Sequence, residues 1–91
     1  MPTISWFCGI SIRMFFNDHA PAHFHAFYGR DEVRVCIENG AVMGGRLPPR
    51  QMWLVREWAL RYRERLLEDW ELVRADRTPE RIPGLDADDE D

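Results

Sequence analysis

The sequence predicts an α+β fold: an antiparallel meander of four or five strands packed on one long or kinked C-terminal helix. Two observations carry this. Residues 3–43 are short β-branched and aromatic runs separated by turn residues, whereas residues 51–74 place apolar residues at spacings of three and four. A third is length, since 91 residues with 45% hydrophobic and 31% charged content suit one small soluble core.

The elements follow in order. TISWFC (3–8) and ISIRMFF (10–16) meet at Gly9 and read as a hairpin. NDHAPA (17–22) is a turn, in which Pro21 restricts Ala20 to extended forms. HFHAFY (23–28) is a third strand. After the turn at 29–31, EVRVCIE (32–38) alternates, with Val33, Val35 and Ile37 on one face and Arg34, Cys36 and Glu38 on the other. Asn39-Gly40 is a strong hairpin signal, and AVM (41–43) is a short returning strand. GGRLPPR (44–50) connects to a helix, where Pro48 and Pro49 suit the first turn. From Gln51 to about Arg74, Met52, Val55, Ala59, Tyr62, Leu66, Trp70 and Val73 form an apolar stripe opposite Glu57, Arg61, Glu64 and Glu68. The stripe reads either as one long helix or as two separated by a kink near Tyr62–Arg65. The predicted domain is 1–75, followed by an extended, acidic, disordered tail over 76–91.

The charge of −4 is unevenly spread. Residues 76–91 hold seven acids and two arginines, which leaves nine acids and ten arginines in residues 1–75. There is no lysine, so every cation is a guanidinium suited to bidentate contact with phosphate or carboxylate. No apolar run reaches the roughly 18–20 residues that span a bilayer, and no secretory signal is visible, so a cytoplasmic protein without membrane contact is expected. Cys8 and Cys36 are then reduced, and read as small buried hydrophobes.

The chemistry concentrates in NDHAPAHFHA (17–26), which holds all three histidines. On a strand, Phe24, Ala26 and Tyr28 point to the helix, and His23 and His25 point outward together, roughly 7 Å apart. Asp18 and His19 fold back from the turn as further candidates. Asp18, His19, His23 and His25 are thus candidate ligands for a divalent metal such as zinc. Metal-free acid–base catalysis is an alternative, with His23 and His25 moving protons and Arg50, at the helix start, holding a phosphate. The bland alternative is a turn cap and solvated strand histidines. Trp53, Leu60 and Leu67 form a second apolar line beside the core stripe, a candidate partner surface or simply a wider core face.

Four segments together carry a resemblance: MPTI at the start, NDHAPAHFHA against a pattern N-D-H-x-P-P-H-x-H-V, GGRLPPRQMWLVREW, and ELVR following RERLLEDW. The chain resembles a family of small prokaryotic proteins known as domain of unknown function number 4160, over about residues 1–85. The resemblance carries over Asp18, His19, Pro21, His23, His25, Pro48, Arg50, Glu57 and Trp58. Ala22 departs from it, standing where the family pattern has a second proline. The resemblance implies a cytoplasmic member of a two-gene, toxin–antitoxin-like or defence module. Such a protein acts by contact with a small protein encoded by the adjacent gene, with RNA a further candidate partner and self-association open. The other readings are a small ribonuclease or metal-dependent hydrolase built on the histidines, and a non-catalytic metal-binding domain.

Overall fold

The computed structural model describes residues 2–86. Five strands, β1 (Thr3–Phe7), β2 (Ile10–Arg13), β3 (His23–Tyr28), β4 (Asp31–Cys36) and β5 (Val42–Arg46), form one sheet in sequential antiparallel order. Two helices follow, α1 (Pro49–Arg61) and α2 (Arg63–Arg74), giving the α+β architecture. Neither is long and apolar enough to cross a membrane.

The alternation of side chains sets the two faces of the sheet. Ile12, Ala26 and Val33 stand in register across β2, β3 and β4, all fully buried, and face the helices. Val55, Trp58 and Ala59 of α1 and Leu66, Trp70 and Val73 of α2 close the core over them. Trp58 is central: it is fully buried, packs on Phe7 and Phe24, and its indole N–H donates to the Pro83 carbonyl at 2.8 Å.

Four sequence expectations need correction. The helical segment is two helices, broken at Tyr62 (φ −112°, ψ 26°). A continuous helix from Pro49 to Arg74 would run roughly 39 Å, longer than the 34 Å maximal extent of the molecule. The break lets both apolar faces meet the same sheet. Second, β5 runs through Gly44 and Gly45, which the sequence reads as connector. Gly45 has φ +75°, and a side chain there would collide with the Glu32 carbonyl, so this irregular strand carries almost no β pattern to read. Third, Cys36 is buried but Cys8 is exposed at the first hairpin turn, with φ 51°.

Fourth, the folded unit does not end near residue 75. The segment after α2 is extended, as expected, but it is a strap built into the core. Ile82 is buried, its N–H donates to the Ile4 carbonyl at 2.8 Å, and Ser5 Oγ donates to the Ile82 carbonyl at 2.7 Å. Arg65 holds the Arg81 carbonyl, and Asp86 accepts the Cys8 N–H. The disorder expected of DADDED falls, for residues 87–91, outside the described residues.

Candidate metal centre

Strand β3 presents His23 and His25 on the face away from the helices, as its period of two requires. They are not solvated, however. His23 is 5% exposed and His25 8% exposed. Phe15 meets the His25 ring edge-on at 4.4 Å between centroids, and Trp70 of α2 lies 5.3 Å from the His23 ring. The loop between β2 and β3 then folds back over the pair and delivers Asp18.

Asp18 Oδ2 lies 3.1 Å from His23 Nε2 and 3.0 Å from His25 Nε2. The other nitrogens are also engaged. His23 Nδ1 is 2.9 Å from the Pro21 carbonyl, and His25 Nδ1 is 3.0 Å from Glu32 Oε2. All four ring nitrogens therefore face oxygens that only accept. Without a cation at the junction, satisfying them takes two imidazolium rings with centroids 5.1 Å apart, both largely desolvated. With a divalent cation at the junction, two neutral rings suffice. Each keeps its Nδ1 proton as a donor, to Pro21 and to Glu32, and each turns a bare Nε2 lone pair toward the point that Asp18 also faces. A carboxylate or carbonyl behind each ligating imidazole is the arrangement that fixes the tautomer at protein metal sites. One ligand atom each from Asp18, His23 and His25 lie within 4.8 Å of one another, and no other group of His, Cys, Asp or Glu among the described residues does so. The separations of 3.0 and 3.1 Å approach the edge of a tetrahedron with zinc-like bonds, about 3.3 Å.

The structure brings together three of the four metal candidates. His19 is exposed and lies outside the group. Adjacent residues of a tight turn point different ways, and Asp18 is the one turned inward. Arg50, the second residue of α1, is not among the groups around the histidines; its charge bears on Cys8 instead. Partial desolvation and the Asp86 carboxylate push the Cys8 thiol up, and Arg50 pulls the other way. Of the candidate partner surface, Trp53 is 60% and Leu60 73% exposed, whereas Leu67 is half-buried and packs against the core. Sequence reasoning passes over Glu32, although the two-residue turn Gly29-Arg30 already sets the register that puts it on the outer face beside His25.

The profile of the family described as "Domain of unknown function (DUF4160)" matches residues 9–71, and the chain belongs to that family. The matched span contains Asp18, His23, His25 and Glu32. No curated protein and no solved structure matches the chain.

Proposed function

We propose that this protein is a metal-dependent domain that takes one divalent transition-metal ion on Asp18 Oδ2, His23 Nε2 and His25 Nε2. The observation that carries the reading is the donor count: four ring nitrogens facing three acceptor oxygens, with both Nε2 atoms converging on the one Asp18 oxygen. Two imidazoles and one carboxylate suit zinc, iron(II) or cobalt(II). Three protein ligands leave a tetrahedral ion one position for water or substrate, the pattern of catalytic rather than structural sites. When bound, the ion would supply Lewis-acid chemistry at that position. The protein's own groups would orient it: Pro21 through His23, Glu32 through His25. A cytoplasmic location, with Cys8 and Cys36 as free thiols, belongs to the same proposal.

Equilibrium dialysis of untagged protein tests this. One zinc or cobalt(II) per chain is expected, lost in His23→Ala and in His25→Ala and retained in His19→Ala. Wild-type protein that takes up neither zinc, cobalt(II) nor iron(II) would overturn the reading.

The exposure of Trp53 and Leu60 on α1 supports a second reading, a partner-binding member of a toxin–antitoxin-like pair. Co-expression with the product of the adjacent gene should yield a complex. It should weaken at least tenfold when Trp53 and Leu60 are both changed to serine; an unaffected complex sinks the assignment of this surface.

A further inference from the structure

The outer face of the sheet carries more than the histidine pair. One row crosses all five strands in register: Trp6, Ser11, Phe27, Glu32 and Arg46. Phe27 is two residues along β3 from His25, so the row lies on the face away from the helices. A second row sets Arg34 beside His25 on that face. The loop between β2 and β3 closes over the histidines, but the first row stays open at both ends. Trp6 is 60% exposed, and Arg34 and Arg46 are exposed as well. The core does not need Trp6, because Phe7 is the aromatic that β1 buries. Between the ends, the Arg13 guanidinium lies over the Phe27 ring, 4.5 Å from its centroid, and that ring is within 11° of parallel to His25. The Arg34 guanidinium lies across Gly44, where a side chain would collide with it. Among the described residues, neither Arg34 nor Arg46 pairs with a carboxylate.

The combination selects the occupant. A small anion would use the arginines and leave the exposed indole idle. An apolar surface would cover Trp6 and strand two unpaired guanidinium groups. Single-stranded nucleic acid uses both, since unpaired bases stack on aromatic rings and phosphates take guanidinium forks. A duplex hides its base faces and gains nothing from Trp6. Strands about 4.8 Å apart make the row roughly 19 Å long from β1 to β5, the reach of a few nucleotides. Charge agrees: the one acid in the row, Glu32, is turned to His25 at 3.0 Å, and the two exposed arginines at the β4–β5 end are unpaired.

We infer that the outer sheet face binds single-stranded nucleic acid laid across the strands, with a base stacked on Trp6 and phosphates held by Arg34 and Arg46. The inference needs no metal at the histidines and stands apart from both readings above. Trp6 and Trp53, the two most exposed tryptophans, then serve opposite layers of the molecule.

The test titrates the full chain into fluorescein-labelled oligonucleotides of twelve uridines and of twelve thymidines, read by anisotropy. Saturable binding of at least one is expected, with a duplex of the same length bound at least tenfold more weakly. All the residues to be changed are exposed, so the variants should fold. Trp6→Leu should weaken binding at least fivefold, the low end for one stacked base, and Trp6→Phe should keep most of it. Arg34→Gln with Arg46→Gln should weaken it at least tenfold and flatten the log–log salt dependence by about 1.4, for two phosphate contacts on a single strand. Trp53→Leu and Arg56→Gln, on α1, should match wild type. Failure of both oligonucleotides to bind overturns the inference, as does equal affinity for the duplex. Unchanged binding in Trp6→Leu or in the double arginine variant overturns it too. Binding lost in Trp53→Leu or Arg56→Gln instead moves the contact to the helix layer and overturns the assignment of this face.

Discussion

A neutral imidazole has one proton to donate, and His25 faces two carboxylates, Asp18 at Nε2 and Glu32 at Nδ1. If the ion takes the Asp18 side, Glu32 is what holds the proton on Nδ1 and makes the Nε2 lone pair a better donor. Outer partners of this kind are typically worth 10–100-fold in metal affinity. Glu32→Gln should therefore raise the zinc dissociation constant at least tenfold, read by competition with a chromophoric chelator, whereas Glu38→Gln should leave it unchanged. Equal affinities in all three proteins would mean that Glu32 plays no part in the site. The pairing of His23 and His25 is legible in the sequence because it needs only the two-residue period of a strand. Asp18 over His19 is not, because the path of a six-residue turn decides which neighbour points inward. Glu32 requires a hairpin register, which is a property of two strands and not of either alone.

At the level of elements, the strap across α2 explains an otherwise unfavourable residue. Asp69 is 2% exposed; its Oδ1 accepts the Glu80 N–H at 2.8 Å, but Oδ2 is buried without a partner among the described residues. Burial pushes its carboxyl above the ordinary 3.8, more than the Glu80 N–H and Arg65 pull it down. A raised folded-state value means that the native state binds the proton more tightly than the unfolded chain does. Its contribution to stability is then full below 3.8 and is lost as pH rises through the folded value. Asp69→Asn retains an acceptor oxygen for Glu80 and cannot ionise. It should melt above wild type at pH 7, with the difference shrinking as pH falls and vanishing below about 3.8. Melting curves across that range check it, and a difference independent of pH rules it out. The strap itself is hard to read from composition. Its single buried isoleucine, Ile82, sits among prolines and next to an acidic run, and the average over 76–91 hides it. Most of the helix stripe, by contrast, is legible, with Val55, Ala59, Leu66, Trp70 and Val73 all buried, although it leaves out the fully buried Trp58; the break at Tyr62 answers to the span of the sheet beneath.

For the whole molecule, the order of elements follows from where the apolar period changes, and that much the sequence carries: strands that need one face covered, then a stripe able to cover it. What it does not carry is that the outer face is also partly closed, by the 14–22 loop and by Trp70 reaching His23 from α2. Loop, sheet and helix thus converge on the histidine pair. An ion held by Asp18 and β3 would pin the loop to the sheet, so it should bind the native state far better than the unfolded chain. At a free concentration 100 times the dissociation constant, such binding stabilises by about 2.7 kcal/mol. For a domain of this size each kcal/mol moves the midpoint by roughly 4–8 °C. Zinc should then raise the melting temperature by something on the order of 10–20 °C in wild type, reversed by chelator, and by as much in His19→Ala. His23→Ala loses packing on Trp70 as well as a ligand, so its metal-free protein should melt lower; the informative quantity is the shift on adding zinc, which should be near zero. A full shift in His23→Ala would show that the ion acts elsewhere. A wild-type shift that His19→Ala abolishes would instead bring the turn histidine into the site in place of one of the three ligands named here.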